Sequence, residues 1–277
     1  MSPFSRPVTG RPFIKMHGLR NHFVIVDARS DPFAPSIDEV IRICDPETGV
    51  GGDQLIVIEP SASADAFMRI INVDGREAEA CGNAARCVAW LLLEEAGADQ
   101  VVLETRGGKT ECKRTGNEEV SCEMGAVSMD WQAIPLSREV DTLHVDHLAR
   151  PLDDGIALNI GNPHIVFFVD DVDAVDLESL APCIQQDALF PEQVNVGIAQ
   201  LVAPDHLRLK VYERGAGLTK ACGSGACAAA CAALARGLTD EQCIRVSMPA
   251  GDVIIDISEE GVATMTGPVA YCFSGYI

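Results

Sequence analysis

The sequence predicts an α/β fold of the α+β type. It reads as two pseudo-symmetric domains, each a curled β-sheet wrapped around a central buried helix, with an active site in the cleft between them. Three observations carry that expectation. The chain has 277 residues, which at about 150 residues per domain makes two domains. The segments Ala80-Cys81-Gly82-Asn83-Ala84-Ala85 and Ala221-Cys222-Gly223-Ser224-Gly225-Ala226 repeat each other 141 residues apart, close to half the chain. Each repeat also opens a stretch that is apolar on every side, the mark of a helix buried all round.

The same offset extends upstream. Asn72 falls on Glu213, Gln54 on Asn195 and Asn21 on Asn162. The last two sit in similar settings, Asn21-His22-Phe23-Val24-Ile25-Val26 and Asn162-Pro163-His164-Ile165-Val166-Phe167, each a polar amide ahead of a β-type run. Downstream, Val101-Val102-Leu103 and Ile244-Arg245-Val246 correspond after a two-residue shift. Strands are expected at residues 23–27, 54–58 and 67–71 in the first half, and at 165–169 and 207–212 in the second. Asp74-Gly75 between Val73 and Arg76 is a hairpin signal. Helices are expected over residues 83–96 and 225–236, with Gly97 and Gly237 just past their ends. The second of these is nearly all Ala and Cys. The segment 130–150, with Pro135 and mixed charges, reads as the crossing between halves.

Composition narrows the partners. Acidic residues number 41 against 21 basic ones, for a formal charge of −20. Such a surface repels phosphate backbones and anionic lipid, which counts against nucleic acid and membrane partners. The longest strongly apolar run, residues 87–93, is far short of the roughly 18–20 residues of a membrane span. Residues 1–15 carry no apolar stretch of signal-peptide length, so a cytoplasmic setting is expected. The cysteine usage agrees: eleven thiols, an odd number, do not read as a disulfide framework, and no Cys-x-x-Cys occurs. His17, His22, His144, His147, His164 and His206 are scattered, so neither a metal site nor a redox thiol centre is expected.

Most of the cysteines read as small core residues. Cys81 and Cys222 differ, because each stands before a Gly at the mouth of a buried helix, where unpaired N–H groups and the positive end of the helix dipole converge. That setting lowers a thiol's pKa, and the same N–H groups can hold a carboxylate. Two such thiols facing one cleft suit inversion at a carbon bearing a carboxylate. One thiolate removes the α-proton, and the other thiol delivers a proton to the opposite face. The N–H groups stabilise the charge that develops on the carboxylate. Position alone is equally compatible with two cap cysteines packing an interface.

The residues that surround the thiols carry a resemblance. Lys15-Met16-His17-Gly18-Leu19, Asn72-Val73-Asp74-Gly75, Ala80-Cys81-Gly82-Asn83, Gly161-Asn162-Pro163-His164, Val194-Asn195-Val196-Gly197, Tyr212-Glu213-Arg214-Gly215-Ala216-Gly217, Ala221-Cys222-Gly223-Ser224-Gly225-Ala226 and Met265-Thr266-Gly267-Pro268 resemble, in order, the motifs of diaminopimelate epimerases. The resemblance covers almost the whole chain from residue 13. It implies a pyridoxal-independent, two-cysteine epimerase that interconverts LL- and meso-2,6-diaminopimelate in lysine and peptidoglycan-precursor synthesis, with no cofactor. It implies halves at residues 1–126 and 127–267, with residues 268–277 returning as a strand to the first. The family is often dimeric, which leaves a homodimer open. By motif, Cys81 and Cys222 are the proton donor and acceptor, and His164 and Glu213 tune their pKa values. Gly82-Asn83 and Gly223-Ser224 hold the reacting carboxylate. Asn21, Gln54, Asn72, Asn162, Asn195, Glu213 and Arg214 line the substrate site.

The residue types make physical sense. Amides offer acceptors for ammonium and donors for carboxylate without burying net charge. Arg214 can grip a distal carboxylate bidentately. Four positions depart from the family pattern: Arg20 and His22 flank Asn21 where Gly-Asn-Asp is usual, Leu218 stands where an acidic residue is frequent, and Gly52 where a bulkier one is common. If residue 20 needs a positive φ, Arg20 is strained. The rival of the same fold type is a proline racemase or hydroxyproline epimerase, which would exchange the α-proton of proline instead. A dinucleotide site at Gly215-Ala216-Gly217 or Gly223-Ser224-Gly225 lacks a third glycine at the required spacing. Facing thiols would also be expected to link on oxidation, with reversible loss of activity.

Overall fold

The computed structural model describes residues 10–146 and 149–277. His147, one of the scattered histidines, therefore lies outside the described residues, as do two positions of the 130–150 crossing and the first nine of the chain. In chain order the elements are β1 (Pro12–Gly18), β2 (Asn21–Asp27), α1 (Ile37–Cys44), β3 (Gln54–Glu59), β4 (Ala66–Asn72), β5 (Glu77–Ala78), α2 (Gly82–Ala96), β6 (Gln100–Thr105), β7 (Gly108–Gly116) and β8 (Glu119–Ala126). They are followed by β9 (Ile156–Asn159), β10 (Pro163–Phe168), α3 (Leu177–Gln185), β11 (Asn195–Ala203), β12 (His206–Glu213), β13 (Gly217–Thr219), α4 (Gly223–Ala235), β14 (Cys243–Met248), β15 (Gly251–Ile257), β16 (Val262–Pro268) and β17 (Ala270–Tyr276). Contacts divide the chain into one unit that ends at Val120 and regains Pro268–Ile277, and a second of Ser121–Gly267.

Each unit is a sheet in which parallel and antiparallel neighbours alternate. In the first, β1 runs antiparallel to β2, β2 parallel to β3, β3 antiparallel to β4, β4 parallel to β6 and β6 antiparallel to β7. In the second, β9 through β15 repeat that order with β10, β11, β12 and β14 in the corresponding places. The register repeats too. Phe23 faces Gln54 as His164 faces Asn195, and Ile70 faces Ala78 as Val211 faces Thr219, all displaced by 141. Beyond the helices the displacement becomes 143: Val101 faces Cys112 as Ile244 faces Ile255. The change arises at α4, which has 13 residues against 15 in α2 and a longer connection to its next strand. β17 adds to the first unit, antiparallel to β1.

Parallel neighbours need a crossover, usually a helix, and each unit has two. α1 and α3 lie on one face of their sheets. α1 is begun by a capping box in which Glu39 N–H donates to Ser36 Oγ at 3.3 Å and Ser36 N–H donates to Glu39 Oε2 at 2.9 Å. A cap of this kind stabilises a helix by about 1 kcal/mol. Val40 and Ile43 of α1 pack on Val24, Val26, Leu55 and Val57, and Ala181 and Ile184 of α3 pack on Ile165, Phe167, Val196 and Ile198. The opposite face of each sheet curls around α2 or α4. Every residue of α4 from Gly225 to Ala233 is buried. Ala and Cys suit this place, being small enough for strands to approach on several sides, and Ala is the best helix former. The first helix is less uniform than its sequence suggests: Glu94 and Glu95 are exposed at its end, and Arg86 is buried within it.

Candidate active site

In both units the cysteine is the residue at which strand turns into helix. Cys81 caps α2 with φ −152° and ψ 106°, and Cys222 caps α4 with φ −131° and ψ 109°. Gly82 and Gly223 are the first helical residues, so the free N–H groups of each helix begin beside the sulfur. The surroundings then diverge.

At the first start, Cys81 is half-buried and its Sγ lies 3.9 Å from Asn21 Oδ1. Asn83 Nδ2 donates to the same oxygen at 3.3 Å. Asn21 is delivered by the turn from β1 to β2, where Leu19 and Arg20 have φ of 51° and 60°. Arg20 thus occupies the left-handed region that the departure from glycine put in question, and its counterpart Gly161 has φ 89°. Gln54 and Asn72 face each other across β3 and β4, and Gln54 Nε2 donates to Asn72 Oδ1 at 2.9 Å.

At the second start, Cys222 is buried and its Sγ lies 3.6 Å from Ser224 Oγ. Ser224 Oγ meets His164 Nε2 at 3.1 Å and accepts from Asn162 Nδ2 at 3.3 Å. His164 Nε2 is also 3.0 Å from Asn162 Oδ1 and 3.4 Å from Asn195 Nδ2. Asn195 is fixed by backbone, donating to the Pro163 carbonyl at 3.0 Å and accepting the Arg214 N–H at 2.8 Å. The Arg214 side chain is exposed and donates to the Glu192 carbonyl at 3.0 Å. Glu213 accepts a hydrogen bond from Thr219 and faces the Cys222 thiol.

Electrostatics correct one expectation. A helix start was expected to lower a thiol's pKa, yet Cys222 is held well above the usual thiol range. Burial is the main cause and the Glu213 carboxylate the second, while Ser224 and the Gly225 N–H pull the other way without prevailing. Gly225 is required there, since a Cβ would stand 2.8 Å from Val211 and 3.2 Å from the sulfur. His164 is pushed down to about 3 by burial and then by Arg214, so it is neutral at pH 7.

The sequence-predicted residues therefore gather in two groups. Asn21, Cys81, Gly82 and Asn83 form one, with the Gln54–Asn72 pair on the same sheet; Asn162, His164, Asn195, Glu213, Cys222, Gly223 and Ser224 form the other, with Arg214 attached through its backbone. Sequence reasoning missed Arg86 and Asp53. The signal at Arg86 was a lone charge inside an apolar helical run. Among the described residues no three His, Cys, Asp or Glu side chains come together as metal ligands. Nor is any helix among them long and apolar enough to cross a membrane.

Known proteins share both sequence and fold. The family model described as diaminopimelate epimerase matches residues 13–130 and 156–272. A diaminopimelate epimerase of Rhodospirillum centenum is 47% identical over 267 residues, covering 96% of this chain and 91% of that protein. One of Phenylobacterium zucineum is 46% identical over 270 residues, covering 96% and 97%. Among solved structures, a probable proline racemase from Agrobacterium radiobacter K84 superposes with a TM-score of 0.69 at 16% identity, over 96% of this chain and 92% of that one. A hydroxyproline epimerase from Agrobacterium vitis does so at 0.65 and 16%, over 95% and 91%. At such identities these two structures share the fold.

Proposed function

The chain belongs to the diaminopimelate epimerase family, and from that premise we propose how its two helix starts divide the work. It is an isomerase that interconverts LL-2,6-diaminopimelate and meso-diaminopimelate by two-cysteine proton transfer without pyridoxal, a step of lysine and peptidoglycan-precursor synthesis. In our reading the thiolate of Cys81 takes the α-proton, and the Cys222 S–H gives its proton to the opposite face of the same carbon. In the reverse reaction the roles exchange. The high proton affinity that burial and Glu213 give Cys222 suits it to rest as the acid. When it acts as the base, Glu213 is placed to accept the thiol's proton.

The N–H groups of Gly82-Asn83 and Gly223-Ser224 hold the reacting carboxylate as charge builds on it. Neutral His164 keeps Ser224 and Asn162 in place. Asn21, Gln54, Asn72, Asn162, Asn195 and Glu213 bind the polar ends of the substrate, and Arg214 takes the distal carboxylate. The reading carries with it a cytoplasmic enzyme with no metal or organic cofactor, no nucleic acid or membrane partner, and a homodimer.

The observation that supports this division best is that two Cys-Gly helix starts stand at matching register positions of two matching sheets, with unlike charges around them. The test is turnover of LL-diaminopimelate by wild type, Cys81→Ser and Cys222→Ser. Wild-type turnover with both variants inactive is expected. Exchange of the α-proton of proline, but not of diaminopimelate, in heavy water would overturn the reading.

A further inference from the structure

Arg86 is the largest fully buried side chain of the described residues, at 0% exposure, on the helix that Cys81 begins. Its Nη2 donates to Asn83 Oδ1 at 2.9 Å. Asn83 Nδ2 donates to Asn21 Oδ1 at 3.3 Å, and Asn21 Nδ2 donates to Asp53 Oδ2 at 3.1 Å. A guanidinium only donates and a carboxylate only accepts. A row of two amides between such ends has one sense: each amide oxygen faces the arginine end and each amide nitrogen the aspartate end. Asn21 must then turn its oxygen, not its nitrogen, toward the sulfur 3.9 Å away. Asp53 is itself held, since His22 N–H donates to the same Oδ2 at 2.7 Å. Gly18 lets the β1–β2 hairpin close on the row: a Cβ there would stand 3.3 Å from Arg86 Nη2 and 3.3 Å from the Asn83 carbonyl oxygen.

The second unit has neither end of this row. The position equivalent to Arg86 is Cys227, and that equivalent to Asp53 is Val194, both buried. Asn162, the counterpart of Asn21, makes its contacts to Ser224 and His164 instead. The device is thus confined to one of two otherwise matching helix starts.

We infer that Arg86 and Asp53 are positioning residues for the Cys81 half of the reaction, together setting the sense of the Asn83 and Asn21 amides and so the atom that the Cys81 sulfur meets. An amide oxygen beside the sulfur accepts from the thiol and disfavours the thiolate, whereas an amide N–H there would stabilise the thiolate. Arg86 and Asp53 therefore hold Cys81 ready to keep its proton once it has taken it. Lys15, His17, His22 and Cys44 are the other titratable groups around the Asp53 end, and Cys87 lies near Cys81 on the same helix. The inference rests on Cys81 being a proton-transferring thiol.

The test compares Arg86→Gln, Arg86→Lys, Asp53→Asn and the double variant Arg86→Gln/Asp53→Asn. Two readouts are taken: kcat and KM with LL-diaminopimelate, and the ratio of iodoacetamide modification at Cys81 and Cys222 without substrate. Asp53→Asn frees the acceptor end, so the Cys81:Cys222 modification ratio is expected to rise about threefold or more. Arg86→Gln and Asp53→Asn should each lower kcat about tenfold, with the double variant no worse than the poorer single one. Arg86→Lys, still only a donor, should recover to within about threefold of wild type. Losses that multiply, a lysine as poor as glutamine, or an unchanged modification ratio in Asp53→Asn would overturn the inference. Asp53 is exposed, so its variant decides the matter even if the Arg86 variants do not fold. Because modification needs no substrate, a wild type inactive on diaminopimelate would count against the proposed function and leave this result to be read separately.

Discussion

The starts of α2 and α4 are the same piece of architecture with different chemistry laid on it. Strand pairing, helix position and the extended cap cysteine repeat from one unit to the other. What differs is the company of the sulfur. Cys81 is half-buried beside a neutral amide oxygen, with a buried cation two hydrogen bonds further back. Cys222 is buried beside a carboxylate, with a neutral imidazole behind Ser224. A duplicated fold supplies two equivalent places for a thiol. A few substitutions in the lining then make one thiol unlike the other, which suits a reaction that needs an acid and a base at once.

The harshest way to break this comparison is to remove a sulfur. A positioned acid or base contributes about 10²–10⁴-fold, so Cys81→Ala and Cys222→Ala should each cost about 10³-fold in kcat, measured by steady-state epimerisation. If one loss were far smaller, the two places would not be equivalent in the reaction. Next in size is Glu213→Gln, expected to lower kcat about 10–100-fold. Its sign sharpens the contrast, because removing a carboxylate that raises the Cys222 pKa should speed alkylation of Cys222 and leave Cys81 unchanged.

A third test falls on stability. His164 has its folded pKa depressed to about 3 from 6.5. Its contribution is whole above pH 6.5 and is lost as pH falls below that, because only the unfolded chain takes up the proton. The loss is about 1.4 kcal/mol per pH unit, or about 2 kcal/mol at pH 5. Urea unfolding at pH 7 and pH 5 should show it, with a smaller difference in His164→Gln. Phe23, at the matching place in the first unit, has no such liability. The smallest effect concerns the paired turns. Arg20 holds φ 60° where the second unit has Gly161, so Arg20→Gly should stabilise by about 0.5–1 kcal/mol in the same unfolding assay.

Much of this was legible in the sequence because a repeat is a pattern that needs no partner knowledge. The offset of 141 that aligned Asn21 with Asn162 is the offset of the strand registers, and the two-residue shift comes from the longer connection after α4, which outweighs that helix's shortening. The runs at 23–27, 54–58 and 67–71 are the cores of β2, β3 and β4, each strand one or two residues longer. α1 went unread although its capping box, Ser36 with Glu39, and the helical spacing of Ile37, Val40, Ile41 and Cys44 both stand in the sequence; the segment is only eight residues long and carries no chemistry-bearing motif. The Cys222 pKa was misjudged for a different reason: a helix dipole is visible in a motif, but the burial and the carboxylate that outweigh it are set by packing. Arg86 was hidden in the same way, since its partner Asn83 meets Asn21 only once the hairpin closes over the helix.

The central claim is that two different groups handle the proton on the two faces of one carbon. It is tested most directly by running LL-diaminopimelate through the wild-type enzyme in heavy water and stopping within the first turnovers. The account predicts deuterium at the α-carbon of the meso product and hydrogen still in the recovered LL isomer. A meso product that keeps the substrate's own hydrogen would mean a single group serves both faces and would contradict it.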